Sequence, residues 1–321
     1  MGSVGETTLE IRLAALAHNY TYFKSKVKES TKFMAVIKAF AYGSDMTVVA
    51  KKLETLGVDY FAVAYVKEGV LLREAGITTP ILVLHPQETN FDALIAHSLE
   101  PSLYSPRILK AFLAKAIAKG QQDYPVHIKF NTGLNRLGFW ENDLDFISKT
   151  LGDSTALKIA GVLSHLAASE DLSEKEFTLQ QINTFSKICA GLNQVLGYMP
   201  IRHILNTSGI VNYPEAQLDM VRSGIGLYGY GNQKEVDRNL LPVASLKTII
   251  SQLHKIEPGE TVGYNRAYSA SGYQMTATLP IGHADGIGRH YGHGKTFVVV
   301  HGKLAPINGN VCMDMIMVDV N

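Results

Sequence analysis

Lys38 is a candidate nucleophile because it directly follows a strand-like apolar run and precedes a turn of small residues. The run is Phe33–Ile37, and the residues after the lysine are Ala39–Gly43. This position puts the amine at the rim of a sheet, where partial burial lowers the pKa of a lysine. Such an amine can form a Schiff base with an aldehyde or ketone. Strand-end lysines are also common surface cations, so the case depends on what accompanies Lys38.

Other polar residues follow strand-like runs in the same way. Read in chain order, they are His85, Lys129, His165, Asn206 with Thr207, and Arg222. In barrels of parallel strands, the C-terminal strand ends meet on one face and build the active site. We therefore expect these residues to gather around Lys38, although His85 is equally well explained by the usual polarity of a loop.

The elements that would position these residues are eight apolar runs that alternate with helical patterns. The runs are Phe33–Ile37, Tyr60–Tyr65, Pro80–Leu84, Pro101–Tyr104, Val126–Phe130, Ile159–Ser164, His203–Leu205 and Leu218–Val221. The helical patterns include Thr47–Leu56, Lys67–Glu74, Pro106–Lys119 and Glu174–Leu196. Eight such units match the size of a (β/α)8 barrel. From about Val243, short alternating strands replace the helical patterns. We predict an α/β fold, with a TIM-type barrel over residues 1–240 and an incomplete all-β domain over residues 241–321.

Two loops of the predicted barrel combine hydroxyl groups with glycine. They are Asn206–Gly209 and Arg222–Gly226, which follow the seventh and eighth runs. Barrels commonly bind phosphate in these two loops, because hydroxyls and backbone N–H groups there can cradle a dianion. Opposite a strand-end lysine, the loops suggest an aldehyde cofactor that carries a phosphate, namely pyridoxal 5′-phosphate (PLP).

The composition excludes several classes of protein. The 321 residues are 46% apolar and 18% charged, as in an ordinary globular protein with one or two domains. The net charge is +1 without a basic run, so nucleic acid is not an expected partner. Cys189 and Cys312 have neither disulfide nor metal-ligand spacing, and no metal is expected. No apolar run is long enough to span a bilayer, so we predict a cytoplasmic protein.

The residues around Lys38 also carry a family resemblance. The stretch Ala35–Gly43 resembles the cofactor-lysine signature of the bacterial alanine racemases, a family of PLP enzymes of fold type III. Further matching motifs follow in the family's order: His127–Gly138, Gly161–Ala167, His203–Gly209, Val221–Ile225, Pro280–Gly286 and Val311–Met315. The resemblance covers nearly the whole chain. It implies an enzyme that interconverts L-alanine and D-alanine and supplies D-alanine for peptidoglycan.

The resemblance also implies which residues hold the cofactor. The matching positions are Lys38, Tyr42, Arg136, His165, Asn206, Thr207, Arg222, Gly224 and Ile225. Among them, Lys38 forms the covalent link to PLP. Thr207 replaces the family's usual serine and keeps the hydroxyl that contacts the phosphate. Arg222 donates to the pyridine nitrogen without giving up its proton, which keeps the cofactor a weaker electron sink and favours racemisation over transamination.

Racemisation needs a base on each face of the α-carbon. By resemblance, Lys38 is one base and Tyr264 is the other, with His165 linking Tyr264 to Arg222 through hydrogen bonds. In this family the tyrosine reaches the cofactor of the other subunit, so the resemblance implies a homodimer with composite sites. Met313 and Asp314 would cross the same interface to the substrate.

Two further positively charged residues match the family's substrate site. Arg136 is expected to bind the cofactor's phenolic oxygen and the substrate carboxylate, a role that suits its fork of donors. Lys129 matches a lysine that is often carbamylated in the family, where the added negative charge orients the arginine.

The chain departs from the commonest family pattern at several places. Phe40 replaces asparagine, Asn131 replaces aspartate, and His283 replaces a tyrosine near the substrate entrance. We expect His283 to change turnover modestly. Family members also continue beyond Asn321, with a further tyrosine that contacts the phosphate, so we expect a chain truncated at its C-terminus or a fragment of a longer polypeptide.

Three other functions compete with alanine racemisation. The first is racemisation of another small amino acid such as serine, because pocket size separates such substrates only modestly. The second is a non-catalytic PLP-binding protein, against which Tyr264 and Met313 in the β domain argue. The third is a Schiff-base aldolase that uses Lys38 alone, which leaves the two phosphate-type loops without a role.

Overall fold

The computed structural model describes residues 6–321, which form two compact units. One unit is Ile11–Val243, and the other combines residues 6–10 with Ala244–Asn321. The predicted barrel domain began at residue 1, and residues 1–5 lie outside the described part. Residues 6–10 group with the second unit because their strand pairs with a strand after Val243. The division at residues 240 and 241 itself stays a prediction.

The first unit is an eight-stranded parallel sheet surrounded by helices. After β1 (Thr7–Ile11), its strands are β2 (Lys32–Val36), β3 (Tyr60–Val63), β4 (Ile81–Val83), β5 (Glu100–Leu103), β6 (Tyr124–Lys129), β7 (Leu157–Leu163), β8 (Ile201–His203) and β9 (Met220–Ser223). The strand order is β8-β7-β6-β5-β4-β3-β2-β9. Backbone hydrogen bonds from Asp219 to Arg202 and from Arg222 to Leu205 connect the two end strands. The sheet is therefore a nearly closed barrel, and the predicted fold class is confirmed.

Helices precede, connect and follow the strands of the barrel. They are α1 (Leu13–Lys24), α2 (Lys38–Gly43), α3 (Met46–Thr55), α4 (Val66–Glu74), α5 (Phe91–Ala96), α6 (Pro106–Ala118), α7 (Leu144–Leu151), α8 (Lys175–Leu196), α9 (Thr207–Asn212) and α10 (Lys234–Asp237). Asp45 and Ser105 accept hydrogen bonds from the first turns of α3 and α6, as good N-caps do. Within residues 6–321, no helix is both long enough and apolar enough to cross a membrane.

Each barrel strand buries both faces, as parallel strands do. In β3, Phe61 and Val63 join the large core between sheet and helices, whereas Tyr60 and Ala62 join a small cluster inside the barrel. This alternation decides which strand residues face the barrel interior and which pack under the helices.

The second unit is built from short antiparallel strands. They are β10 (Ala244–Thr248), β11 (Gln252–Ile256), β12 (Thr261–Val262), β13 (Tyr268–Ser269), β14 (Gln274–Leu279), β15 (Phe297–Val300), β16 (Lys303–Asn308) and β17 (Ile316–Asp319). Five of them form one sheet in the order β11-β14-β17-β16-β15, and β10 pairs with β1. The sheet buries a small apolar core that includes Ala277, Ile307 and Val318. The all-β character predicted for this region is confirmed.

Candidate active site

A cavity of about 520 Å³ lies at the C-terminal strand ends of the barrel unit. The ten barrel residues singled out from the sequence all line it, namely Lys38, Tyr42, Lys129, Arg136, His165, Asn206, Thr207, Arg222, Gly224 and Ile225. His85 lines it too. The structure therefore brings these residues together, and their individual roles stay predictions.

Lys38 begins a turn with unusual backbone geometry. Residues Ala39 to Tyr42 all have positive φ, between 51° and 56°, so α2 is left-handed over these four residues. A left-handed conformation costs an L-residue about 1–2 kcal/mol, so the turn needs support from its surroundings. The turn places the Tyr42 hydroxyl against Gly224, where any Cβ would collide with it. Glycine at 224 is thus required by the close approach of a tyrosine.

Glu68 supports this turn, and the sequence analysis missed it. Its buried carboxylate accepts hydrogen bonds from Ala39 N–H at 2.6 Å and Phe40 N–H at 3.4 Å. Its other oxygen accepts from Ala64 N–H at 2.7 Å and Tyr65 N–H at 3.2 Å. One carboxylate therefore ties the loop after β2 to the start of α4. A glutamate in the first turn of a predicted helix was the available signal.

The amines of the site sit among positive charges. Burial is the main cause that lowers the pKa of Lys38, and the charge of Arg136 adds to it, while Glu68 acts in the opposite direction. Burial also lowers the pKa of Lys129 to about 8, with further contributions from Arg136, Arg222 and Lys38. Both lysines are thus easier to deprotonate than an exposed lysine, which favours their reaction as nucleophiles.

Backbone carbonyls and histidine rings of the barrel unit hold the two Nη groups of Arg222. Its Nη2 donates to the carbonyls of Ser164 at 2.6 Å and Ile204 at 3.0 Å, and its Nη1 donates to the carbonyl of His203 at 2.9 Å. His203 Nδ1 lies 2.8 Å from Nη1, and His165 Nδ1 lies 3.4 Å from Nη2. Between residues 6 and 321, no group accepts a hydrogen bond from the Nε–H of this arginine. Arg222 thus keeps one unpaired donor, and the residue lines the cavity.

Burial, together with these neighbours, keeps His165 neutral. Burial is the main cause that lowers its pKa well below the usual value, and Arg222 is the largest charge that contributes. Because an arginine can only donate, His165 Nδ1 must accept. Its remaining ring nitrogen, Nε2, therefore carries the proton and can donate to another group.

The loops after β8 and β9 form a hydroxyl-lined corner of the cavity. Thr207 Oγ1 lies 3.2 Å from Gly224 N and 3.3 Å from Ser223 Oγ, and Thr207 is almost fully buried. Ile225 begins a 3₁₀ turn, Ile225–Tyr228, so its N–H has no partner within that turn. Asn206 uses its side-chain oxygen to cap α9 through Gly209 N–H at 3.0 Å, so this oxygen is not available for a ligand.

The remaining predicted site residues lie in the β unit. Tyr264 is in a 3₁₀ turn, Tyr264–Arg266, and its side chain is 73% exposed. Met313 is 63% exposed, and Asp314 is also exposed. These three residues belong to the β unit, whereas the cavity belongs to the barrel unit.

Comparison with known proteins accounts for both units. The chain matches the family profile described as "Alanine racemase, N-terminal domain" over residues 11–232 and the one described as "Alanine racemase, C-terminal domain" over residues 243–321. It is 38% identical over 314 residues to the alanine racemase of Thermodesulfovibrio yellowstonii, which covers 97% of this chain and 82% of that relative.

Two solved structures illustrate the similarity of fold. The alanine racemase of Clostridium difficile 630 superimposes with a TM-score of 0.92 at 32% identity, covering 99% of this chain and 84% of that one. The alanine racemase of Bartonella henselae, solved with covalently bound pyridoxal phosphate, has a TM-score of 0.89 at 27% identity and covers 99% and 86% of the two chains. With both family profiles matched from residue 11 to residue 321, this chain belongs to the alanine racemase family.

Proposed function

We propose that this chain interconverts L-alanine and D-alanine with PLP bound in the barrel cavity, in the cytoplasm, and so supplies D-alanine for peptidoglycan. The family is PLP-dependent, and one relative contains the cofactor covalently bound. The observation that carries the proposal is the cavity itself. It combines a half-buried lysine of lowered pKa with a hydroxyl-lined corner and an unused arginine N–H.

The donors in the cavity fit the functional groups of PLP. Lys38 offers an amine to the aldehyde, and the Nε–H of Arg222 suits a ring nitrogen. Tyr42, Thr207 and the N–H of Ile225 suit the phosphate, because hydroxyls and backbone N–H groups bind oxyanions well. Gly224 and Asn206 shape the same corner. Arg136 supplies a fork of donors for the phenolic oxygen and for the substrate carboxylate.

Lys38 and Arg222 have separate roles in the proposed proton transfer. When bound, PLP supplies an electron sink that makes the α-hydrogen of an amino acid acidic. Lys38, whose amine is partly desolvated, takes or returns that proton on one face. Burial lowers the pKa of Arg222 to about 9, so the guanidinium stays charged at neutral pH and keeps its proton while it donates to the ring nitrogen. A ring that stays unprotonated favours return of the proton to the α-carbon.

Tyr264 of the partner subunit is the base that we propose for the opposite face. Its side chain is exposed on the β unit, as a residue that serves another subunit would be. The Nε2–H of His165 can donate to the tyrosine oxygen and so stabilise the deprotonated tyrosine. Met313 and Asp314 are exposed on the same unit and would complete a pocket for a small side chain. The active form is therefore a homodimer with composite sites.

The test of the proposal uses the two lysines of one cavity. The purified protein, loaded with PLP, should show a visible absorption band and convert L-alanine to D-alanine in a chiral assay. Reduction with borohydride should then fix the cofactor to Lys38, as found by peptide mass spectrometry. Attachment to Lys129, or a colourless protein without racemisation, would refute the proposal.

A further inference from the structure

Four buried polar side chains form a continuous hydrogen-bonded row inside the barrel. Glu100 Oε2 lies 2.9 Å from His127 Nε2, and His127 Nδ1 lies 3.0 Å from His203 Nε2. His203 Nδ1 lies 2.8 Å from Arg222 Nη1. Both histidines are 0% exposed, Arg222 is 4% exposed and Glu100 is 8% exposed. The row thus joins a carboxylate on β5 to the arginine of the cavity, and we call it the interior relay.

The protons of the interior relay have only one consistent arrangement. Arg222 has no acceptor, so His203 Nδ1 must accept from it, and the proton of that imidazole lies on Nε2. His203 Nε2–H then donates to His127 Nδ1, which leaves the proton of the second imidazole on Nε2. That proton is donated to the carboxylate of Glu100.

The opposite arrangement fails at the arginine. If a protonated Glu100 donated to His127, every donor in the row would reverse, and His203 Nδ1–H would face a donor of Arg222. Burial and the charge of Arg222 also hold the pKa of His203 well below its usual value, which keeps that imidazole neutral. With Glu100 as a carboxylate, the relay has a cation at one end, an anion at the other, and two neutral imidazoles between them.

The barrel makes specific room for the relay. The pairing of β6 and β7 shifts register between Val126 and His127, which brings Gly161 opposite the histidine. A Cβ at Gly161 would collide with His127 Nδ1. A bulge and a glycine therefore accommodate the His127 ring, and a relay with such accommodation is more than incidental packing.

We propose that Glu100, His127 and His203 are positioning residues that hold Arg222 in its charged, donating orientation. The direct partners of Arg222 among residues 6–321 are carbonyls and imidazoles, so its positive charge has no carboxylate in contact. The carboxylate of Glu100 carries the opposite charge, and the hydrogen bonds of His127 and His203 connect it to Arg222. The two Nη groups are thereby fixed, and the Nε–H keeps no partner among residues 6–321. This inference rests on the proposed role of Arg222 toward the cofactor ring.

The decisive variant is Glu100→Gln, because glutamine still accepts from His127 while the charge is lost. We expect about tenfold weaker binding of PLP, as when an outer hydrogen-bonded partner of a ligand is lost, and a shifted visible band. Ser102→Ala is the matched control. Ser102 is also buried on β5, and its Oγ has no hydrogen-bond partner among residues 6–321. Equal effects of the two variants would reduce the relay to packing and overturn the proposal.

A second measurement needs no variant and does not depend on the cofactor. In protein labelled with ¹⁵N in the histidine rings, His127 and His203 should each show one protonated Nε2 and one bare Nδ1, with or without PLP. A protonated Nδ1 on His203 would overturn the relay even if the enzyme racemises alanine at the normal rate. Conversely, correct ring signals in a protein that never binds PLP would leave the relay intact and refute the proposed function.

Discussion

The predicted site residues of the barrel and those of the β unit differ in how far they are exposed. In the barrel, Arg222, Thr207 and Lys129 are at most 7% exposed, and hydrogen bonds from the same unit hold Arg222 and Thr207. In the β unit, Tyr264 and Met313 are 73% and 63% exposed. Large exposed side chains beside a functional motif indicate a surface that another molecule covers. The difference supports the proposal that the barrel completes its half of a composite site alone, whereas the β unit presents its half to a second subunit.

We expect the largest effect on kcat when Lys38 in the barrel and Tyr264 in the β unit are each replaced in a separate variant. Lys38→Ala and Tyr264→Phe should each lower kcat by about 10²–10⁴, the usual contribution of a positioned base. Mixing the two inactive variants after dissociation and reassociation should restore about a quarter of the wild-type activity, because half of the dimers then carry one intact composite site of two. Racemisation by the mixed protein, measured by chiral analysis, tests this directly.

Tyr273→Phe is the matched control for the tyrosine. Tyr273 belongs to the same unit and is 80% exposed, and its loss should leave kcat unchanged. Exchange of the α-hydrogen in deuterated water gives an independent check, since Tyr264→Phe should still exchange one enantiomer by means of Lys38. A mixture that stays inactive would mean that both bases come from one subunit.

The second prediction concerns the free-energy cost of burying the charge of Lys129 in the barrel unit. Burial lowers the pKa of Lys129 from 10.5 to about 8, so Lys129→Met should raise the free energy of unfolding at pH 7 by about 3 kcal/mol. Between pH 8 and pH 10.5 the unfolded chain binds more protons than the folded chain, so the wild type gains stability as the pH rises and the difference disappears. Urea unfolding of cofactor-free protein in buffer without carbon dioxide measures this.

Lys51→Met is the control, because this lysine is exposed on α3 and its loss should have little effect at any pH. Adding ¹³C-labelled bicarbonate should then give a carbamate signal in the wild type and none in Lys129→Met, which tests the carbamylation proposed for this lysine. A difference in stability that does not depend on pH would argue that Lys129 acts by packing and not by its charge.

How much of the site could be read from the sequence depends on where each residue lies along its strand. Lys38 and Arg222 come at strand ends, where an apolar run stops and a polar residue is conspicuous. Glu100 and His127 lie within strands and face the barrel interior, so no change of pattern marks them. The bulge opposite His127 further hides their alternation. The relay was therefore out of reach without the backbone register.

The same limits apply to the last two strands of the barrel. The sequence placed them at His203–Leu205 and Leu218–Val221, but they are Ile201–His203 and Met220–Ser223. Arg202 looks unlike a strand residue, yet it points to Asp219 and binds it at 2.8 Å. Leu218 looks like one but has a φ of 52°, which no strand allows. Tertiary pairing decided both positions.

The third prediction tests the support of the left-handed turn. Glu68→Gln should lower the free energy of unfolding by about 2 kcal/mol, because an amide nitrogen replaces one of the two oxygens that accept backbone N–H groups. Binding of PLP should also weaken, since Lys38 begins that turn. Glu74→Gln, at the exposed end of the same helix, is the control. Equal stabilities of the two variants would show that the turn keeps its conformation without the carboxylate.

The smallest effect is expected at His283 in the β unit. Its Nε2 lies 3.4 Å from Arg289 Nη2, and because arginine only donates, this nitrogen accepts. A tyrosine at this position would lose that acceptor nitrogen, while its hydroxyl oxygen could still accept a hydrogen bond. His283→Tyr should therefore change kcat by no more than about threefold, or about 0.6 kcal/mol.

His290→Tyr is the appropriate comparison, because His290 is an exposed histidine in the same region of the β unit. Its replacement should leave kcat as in the wild type. Unchanged kinetics in His283→Tyr would remove this residue from the catalytic account. The difference between the two units would then be sharper still, since the role of the β unit would rest on Tyr264, Met313 and Asp314 alone.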